Sequence, residues 1–337
     1  MNSTLQEKEY RARINRVMDY VQRHIGEKLT VSRLAEVACF SPFHFHRLFG
    51  ALTGETLAGF IQRIRMEKAA SLLVYNPLKS ITEIALDVGL GGSASFARLF
   101  KSRFGMSASQ WRNGGYRHYS KNCKTESKIG KTNSSFGKEN EPPSTYIALQ
   151  ETDGASDSGS YITFHSGRKN SMSSTKNVKV TVEELPKTTV AYVRHVGPYK
   201  GDARLFEQLY GKLMSWAGPR GLLSRKDMVC MNVYHDDPEV TDESKLRVSA
   251  CLSVPPETEV SGEVGKMEIE AGRYAIAHFE LADDEFQDAW NYVYGEWLPK
   301  SGYQPDDRPC FERCLNDPAA HPQKKHVVDI CVPVKPL

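Results

Sequence analysis

The chain has 337 residues and a formal net charge of +3, which conceals a basic amino-terminal part and an acidic carboxyl-terminal part. Residues 1–120 carry 17 Lys and Arg against 9 Asp and Glu, whereas residues 176–337 carry 20 against 26. No apolar run approaches the ~18 residues of a membrane span, and the seven cysteines form no C-x-x-C pair, which argues against a transmembrane chain, a disulfide framework and a zinc site. We therefore expect a soluble cytoplasmic protein, associated with the nucleoid, whose basic part binds nucleic acid.

The first predicted unit is a helix-turn-helix between residues 30 and 54. Thr30 can cap a helix over 31–38, a turn follows, and Ser41 supplies a cap acceptor before Pro42, which opens a second helix over 42–52. The inward face of this second helix has apolar residues at helical spacing, namely Phe45, Leu48, Phe49 and Leu52.

The outward face of the second helix carries Phe43, His46 and Arg47. This combination suits the major groove of DNA, where arginine pairs with guanine and an apolar ring contacts a thymine methyl group. An ordinary solvated face is the alternative, and the repetition of the pattern in a second copy argues against it. His44 and His46 diverge by about 200° on a helix and cannot share a metal ion, so we expect no metal site.

A long helix is predicted over 56–75, between the two copies. Its apolar residues lie on one face in its first half and on nearly the opposite face in its second half. The two sets are Leu57, Phe60, Ile61 and Ile64, and then Met66, Ala69, Ala70 and Leu73. Such a helix packs a separate body at each end. Its length of about 30 Å is close to the ~34 Å turn of B-DNA, so it can set two recognition helices into successive major grooves.

The second helix-turn-helix repeats the first, at an offset of 50 residues before the turn and 51 after it. A capping box at Ser80 opens its first helix, and its recognition helix is predicted over 93–104. The outward side of that helix carries smaller residues than the first copy, namely Ser93, Ala94, Ser95, Ala97, Arg98 and Lys101. We therefore expect the first unit to supply more base discrimination and the second to supply more phosphate contacts, through Lys101 and Arg103.

Residues 10–113 resemble the DNA-binding domain of AraC/XylS-type transcription regulators. The resemblance rests on Ile84-Ala85, Gly89, Phe96, Arg98, Phe100-Lys101, Phe104-Gly105 and Trp111-Arg112. The chain departs from the family pattern at Leu90 and Ala108, away from the outward face. The resemblance implies an all-α double helix-turn-helix domain, which we place at 8–114. It also implies that outward residues of both recognition helices approach bases. These are Phe43, His46, Arg47, Ser93, Ser95 and Arg98.

A long polar segment separates the two parts of the chain. Residues 115–175 are rich in Ser, Gly, Lys, Asn and Thr, with brief apolar stretches. Such a segment cannot bury enough apolar surface to offset its ordering entropy, so we expect a flexible, largely disordered linker. Any coupling between the two domains then acts by proximity or through a docked interface.

A second internal repeat, with an offset near 80 residues, is predicted in the carboxyl-terminal domain at 176–337. Each copy is predicted to be a strand, a helix and two strands. The first copy covers 189–196, 202–217, 228–235 and 246–254, and the second covers 273–281, 284–298, 310–315 and 326–334. Two such β-α-β-β units predict an α+β fold with an antiparallel sheet, both helices on one face, and a groove at the pseudo-twofold axis. That groove is the default ligand site.

Glu312 is the outstanding polar residue of this domain. Strand alternation places it on one face with Cys310 and Cys314, and we expect the helices to cover that face. A poorly solvated carboxylate either protonates or binds a cation. Four aromatic residues are candidates to line the groove and to attract a cation, namely Tyr234, Trp290, Tyr294 and Trp297.

Residues 178–337 resemble the GyrI-like effector-binding domain. The matching motifs are Tyr234-His235-Asp236-Asp237-Pro238, Trp297-Leu298-Pro299-Lys300-Ser301-Gly302-Tyr303, Phe311-Glu312-Arg313 and Asp329-Ile330-Cys331-Val332-Pro333-Val334. The resemblance implies a pocket for an amphipathic, often cationic compound, with Glu312 facing it. His235 stands where an aromatic or small residue is more usual. The combination of the two domains resembles Rob-like regulators.

The leading hypothesis is a ligand-responsive transcription regulator that binds double-stranded DNA at half-sites about one helical turn apart. We expect no catalytic residues and no cofactor, and RNA polymerase is a candidate partner. Two alternatives stay open. A GyrI-like hydrolase would use Glu312 and Tyr234 as an acid–base pair, and a protein-inhibitor module would bind a topoisomerase or polymerase. A DNA-alkyl repair thiol at Cys310 is disfavoured, because Phe311 and Glu312 follow where an activating His-Arg is needed.

Overall fold

The structure is a computed structural model that describes residues 5–117, 119, 178–306 and 308–337. Residues 5–117 and 119 are called the helical half below, and 178–306 with 308–337 are called the sheet half. The predicted linker at 115–175 lies outside the described residues except at its first few positions. Its flexibility therefore stays a prediction, as do the exact domain boundaries.

The described helical half consists of α-helices joined by short turns. Their bounds are α1 (Leu5–Arg23), α2 (Val31–Val37), α3 (Pro42–Thr53), α4 (Leu57–Tyr75), α5 (Ile81–Asp87), α6 (Ser93–Phe104) and α7 (Ala108–Gln110). Helices α2 and α3 form the first predicted helix-turn-helix, and α5 and α6 form the second. Helix α1 was not predicted, and it packs Val17 and Val21 into the core of the first unit. None of the described helices has both the length and the apolar character needed to cross a bilayer.

Local chemistry explains where these helices begin. The Thr30 side chain accepts a backbone N–H of α2, as predicted. Ser80 and Glu83 form the predicted capping box, with N···O distances of 2.7 and 3.1 Å. Ser41 makes no side-chain cap bond, contrary to the prediction. Helix α3 begins at Pro42 instead because the pyrrolidine ring presets φ for the first helical position.

Helix α4 separates two hydrophobic cores, which confirms the predicted change of face. Its first half contributes Leu57, Phe60 and Ile64 to a core shared with α1, α2 and α3. Its second half contributes residues to a core shared with α5, α6 and Trp111. These residues are Met66, Ala69, Ala70, Leu72 and Leu73. Each helix-turn-helix unit is therefore a separate packed body on one continuous rod.

The described sheet half is an antiparallel sheet with two long helical segments. Its elements are β1 (Val180–Leu185), β2 (Thr188–Val196), α8 (Ala203–Ala217), β3 (Cys230–Tyr234), β4 (Arg247–Ser253), β5 (Gly265–Ile269), β6 (Gly272–Leu281), α9 (Phe286–Tyr292), β7 (Tyr303–Pro305), β8 (Cys310–Cys314) and β9 (His326–Pro336). The strand order is β1-β6-β9-β8-β3-β4-β2-β5, and β7 pairs with β9. Helix α9 continues through a π-helical turn at Val293–Trp297.

The predicted duplication is confirmed. One unit is β2-α8-β3-β4 and the other is β6-α9-β8-β9, and the two meet where β3 pairs with β8. Strands β1 and β5 were not predicted. Strand β1 precedes the first unit in the chain but pairs with β6 of the second unit. Strand β5 precedes the second unit but pairs with β2 of the first unit. This exchange of edge strands ties the two units into one sheet.

The two faces of the sheet are covered differently. Helix α8 packs Leu209 and Leu213 on one face, and α9 packs Ala289 on the same face. The opposite face holds its own apolar cluster, which includes Tyr192 and Phe311. Because successive strand residues point to opposite faces, Glu312 lies on the side of the helices, as predicted.

A buried ion pair joins the two halves. Asp19 of α1 lies 2.6 Å from Arg194 Nη2, and it accepts a hydrogen bond from Tyr192 Oη at 2.5 Å. The Arg194 side chain is fully buried, and its Nε donates to Ser249 Oγ at 3.1 Å. Removal of one partner from a buried pair costs about 3–5 kcal/mol. This contact therefore holds α1 against β2.

Gly89 and Gly105 form a matched pair for testing the packing of the second unit. Both have a left-handed backbone, with φ of 75° and 71°. A Cβ on Gly89 would lie 2.8 Å from the Ile25 carbonyl oxygen, whereas a Cβ on Gly105 would have nothing within 4 Å. We expect Gly105→Ala to destabilise the fold by about 1 kcal/mol and Gly89→Ala by about 2 kcal/mol more, because backbone atoms must shift. Urea denaturation followed by circular dichroism measures both costs, and equal costs would contradict the expectation.

Candidate functional site

The first recognition helix, α3, has an inward and an outward face. Phe45 and Phe49 are fully buried in the core of the first unit. His46 and Arg47 are exposed on the opposite side of the helix. The side chain of Phe43 lies outside the described part of the structure. The outward face that the sequence predicted for base reading is therefore exposed at the two residues that can be described.

The second recognition helix, α6, has the same polarity. Phe96 and Phe100 are fully buried, and Ser93, Ser95 and Arg98 are exposed. The sheet half does not cover these residues, although it contacts the helical half elsewhere. Both candidate DNA-reading faces are accessible in the docked arrangement.

The two candidate phosphate-binding residues differ in their surroundings. Lys101 is exposed at the outward side of α6. Arg103 Nη2 lies 3.1 Å from Glu67 Oε1, and the guanidinium stands over the Phe104 ring at 5.9 Å. Arg103 therefore ties α6 to α4, and Lys101 is better placed to contact a phosphate.

A cavity of about 2690 Å³ opens between α8 and α9 and reaches the helical half. Its wall includes Tyr234, Trp290, Tyr294 and Glu312, the four residues predicted to bind an effector. The structure therefore brings all four together at the centre of the sheet, where the two repeated units meet.

The carboxylate of Glu312 is buried, with 1% of the residue exposed. Tyr234 Oη donates to Oε2 at 2.7 Å, and Trp290 Nε1 donates to Oε1 at 2.7 Å. Asn232 Nδ2 lies 3.4 Å from Oε2. No lysine or arginine of the described residues forms an ion pair with Glu312. The hydrogen bonds to this carboxylate therefore come from neutral side chains, and His326 acts on it only through its charge.

The pseudo-twofold axis explains how this site arose from a repeat. Asn232 lies directly opposite Glu312 in the register of β3 and β8, and Tyr210 is the counterpart of Trp290. Tyr210 Oη donates to Asn232 Oδ1 at 3.0 Å, as Trp290 donates to Glu312. In each unit, therefore, an aromatic side chain of the helix donates a hydrogen bond to the central strand. The acceptor is a neutral amide in the first unit and a carboxylate in the second.

Burial raises the pKa of Glu312, and the hydrogen bonds from Tyr234 and Trp290 oppose that rise without cancelling it. The buried carboxylate accepts hydrogen bonds from neutral side chains, so a cation that enters the cavity would stabilise its charged form. The aromatic faces around it favour the same kind of ligand.

The thiols beside Glu312 are chemically quiet. Burial raises the pKa of Cys310 and of Cys314 to about 12. The reactive form of cysteine is the thiolate, so both groups stay protonated at neutral pH. They act as apolar parts of the wall rather than as nucleophiles.

Two further residues that the sequence associated with the groove differ in position, because His235 lines the cavity and Trp297 does not. Trp297 packs into the apolar cluster beneath α9 and is not among the residues that line the cavity. The His235 ring contacts Arg194 and Ser249, at 3.1 and 2.9 Å. Burial lowers the pKa of His235, so the ring is neutral and supports the contact between the halves.

Among the cavity residues that sequence reasoning missed are Tyr75, Tyr199 and Asp237. The Tyr199 ring packs on Tyr234 with a centroid distance of 5.6 Å. Burial raises the pKa of Asp237, which makes it a second poorly solvated carboxyl group. Its motif was noted in the sequence, but nothing there indicated that Tyr75, at the end of α4, reaches the other half.

Comparison with protein families assigns both halves. Residues 179–335 match the GyrI-like small molecule binding domain, and residues 34–114 match a helix-turn-helix domain. Among solved structures, the EcmrR C-terminal domain is 18% identical with a TM-score of 0.38 and covers 48% of this chain and 99% of that chain. The DNA-binding domain of AdpA, solved with a target DNA, is 27% identical with a TM-score of 0.29 and covers 31% of this chain and 93% of that chain.

Curated relatives match each half separately. A DNA gyrase inhibitor of Yersinia enterocolitica is 34% identical over 143 residues, which are 40% of this chain and 85% of the relative. The bifunctional transcriptional activator/DNA repair enzyme AdaA of Bacillus subtilis is 33% identical over 99 residues, which are 29% of this chain and 46% of AdaA. The chain therefore belongs to the GyrI-like family and is a DNA-binding regulator in which an AraC-type helix-turn-helix domain precedes the GyrI-like domain.

Proposed function

We propose that this regulator reads two DNA half-sites in successive major grooves and responds to an amphipathic, cationic small molecule. On the DNA side, α3 and α6 expose Arg47 and Arg98, and α4 holds the two units on one rod of 19 residues. A helix of that length spans about 28 Å, close to one turn of B-DNA. RNA polymerase stays a candidate partner of such a regulator.

The buried carboxylate of Glu312 is the observation that carries the proposal for the ligand. Burial of an ionised carboxylate with neutral donors alone is unfavourable. A cation removes that cost, and the rings of Tyr234, Trp290 and Tyr294 add cation–π attraction on the apolar part of the wall. A neutral compound would bring no counter-charge to the carboxylate, and an anionic compound would be repelled by it.

One observation favours a hydrolytic alternative. Tyr234 Oη and Glu312 Oε2 are 2.7 Å apart, which is the hydrogen-bond distance that an acid–base pair needs. We propose no catalytic activity, because the same hydrogen bond also serves to satisfy the buried carboxylate. Long incubation with a quaternary ammonium ester, followed by mass spectrometry, distinguishes a bound effector, which is recovered intact, from a substrate, which is cleaved.

Glu312→Gln is expected to weaken the binding of a lipophilic cation about 10- to 100-fold, since a hydrogen-bonded charge is worth about 1.5–3 kcal/mol. The probe is benzyltributylammonium within a panel of quaternary ammonium compounds, and isothermal titration calorimetry measures Kd. Glu296→Gln is the matched control, because Glu296 is an exposed carboxylate at the same cavity. Equal losses in the two variants would contradict a specific role for Glu312.

The same titrations also have an expected pH dependence. The pKa of Glu312 is raised, so a cation must displace a proton at low pH, and its affinity increases as the pH rises through that pKa. The affinity levels off once the carboxylate is ionised without the ligand. Glu312→Gln should flatten this dependence, and an unchanged slope in that variant would assign the titration to another group.

Alanine substitutions on the recognition helices test the DNA side. Wild-type protein first selects its site from a random DNA library. Arg47→Ala is then expected to relax base preference more than Arg98→Ala, at about 1–3 kcal/mol of lost discrimination. Lys101→Ala should weaken binding to all DNA sequences alike. It should also lower the slope of the logarithm of the binding constant against the logarithm of salt concentration by about 1.

Arg11→Ala removes the same charge from an exposed position on α1 and serves as the control for these substitutions. It should leave base preference unchanged. A larger loss of discrimination in Arg98→Ala than in Arg47→Ala would reverse the proposed division of roles between the two units.

A further inference from the structure

The helical half reaches the effector cavity through the last residue of α4. The Tyr75 ring lies 6.1 Å from the Tyr294 ring, centroid to centroid. Tyr294 stacks on Trp290 at 6.0 Å with an interplanar angle of 25°, and Trp290 donates to Glu312. A continuous row of three rings therefore runs from the end of the rod to the buried carboxylate.

Tyr75 is placed by the contact between the halves rather than by the core of its own half. It belongs to neither hydrophobic core of the helical half. Burial raises its pKa, and the nearby groups that add to the rise come from both halves: Asp237, Cys310 and Glu239 of the sheet half and Tyr116 of the helical half. The loop after β3 also packs Val240 against the core of the second helix-turn-helix unit. The end of α4 is thus enclosed by the wall of the cavity.

We propose that Tyr75 is a ligand-contacting residue, so that the DNA-binding half completes the effector site. This inference rests on the proposed function of the cavity. The site then consists of four aromatic residues around one carboxylate, which suits a bulky quaternary ammonium ion that no single ring could surround. These aromatic residues are Tyr75, Tyr234, Trp290 and Tyr294.

A ligand that contacts Tyr75 changes the surroundings of the rod that spaces α3 and α6. The two binding events are linked where DNA changes the packing of α4 against the cavity, and that linkage is reciprocal, because a ligand that alters DNA affinity is itself bound differently when DNA is present. Tyr75 is the residue through which this linkage passes. Its removal should weaken both the binding of the ligand and the effect of DNA on that binding.

Full-length protein with benzyltributylammonium as the probe tests the proposal by calorimetry, with and without the selected DNA site. Tyr75→Ala is expected to weaken binding of the cation about 10-fold and to abolish the difference in Kd that DNA causes. Tyr75→Phe keeps the ring and should bind within about threefold of wild type. Tyr10→Ala removes a partly exposed tyrosine of α1 that does not line this cavity, and it should behave as wild type.

The outcomes separate the two levels of the proposal. In one outcome the wild-type protein binds the cation, and Tyr75→Ala binds it with the same Kd and the same response to DNA. This outcome would overturn the role of Tyr75 and leave the proposed function intact. A wild-type protein that binds no cation of the panel would overturn both. Should Tyr75→Ala unfold, the decision rests on a double-mutant cycle of Tyr75→Leu with Tyr294→Leu. Additive losses in that cycle would contradict a shared site.

Discussion

The apolar face of α4 changes sides halfway along the helix, and the rest of the structure depends on this change. Leu57 and Phe60 point into one core, and Met66 and Leu73 point into the other. Two separate bodies are therefore fixed on a single helix whose internal hydrogen bonds resist bending. The spacing of the recognition helices follows from the length of that rod, and the exposure of their outward faces follows from the burial of their phenylalanines.

The effector cavity depends on a broken symmetry. Duplication supplies equivalent strands, helices and hydrogen-bonding side chains around the pseudo-twofold axis, and one amide-to-carboxylate difference between Asn232 and Glu312 makes the site polar. A buried carboxyl group with neutral donors costs free energy when it ionises, and strongly perturbed groups of this kind cluster at functional sites. The extensive apolar core on both faces of the sheet offsets this free-energy cost. The cationic ligand that we propose would supply a positive charge at this site.

Local sequence signals predicted much of this architecture. Capping residues, proline, helical spacing and two internal repeats indicated the helix-turn-helix units, the rod and both β-α-β-β units, because these features depend on neighbouring residues. Strands β1 and β5 escaped prediction because their pairing partners lie in the other unit. The Asp19–Arg194 contact and the position of Tyr75 depend on how the halves dock. At the cavity, strand alternation placed Glu312 correctly, whereas Trp297 illustrates that an aromatic residue on the right helix can face the core instead.

Hydroxyl-radical footprinting of the full-length protein on its selected DNA site tests the central claim most directly. A rod that holds two recognition helices about one duplex turn apart predicts two protected segments on one face of the DNA, with centres about 10 base pairs apart. A single protected segment, or two segments on opposite faces of the duplex, would contradict the account.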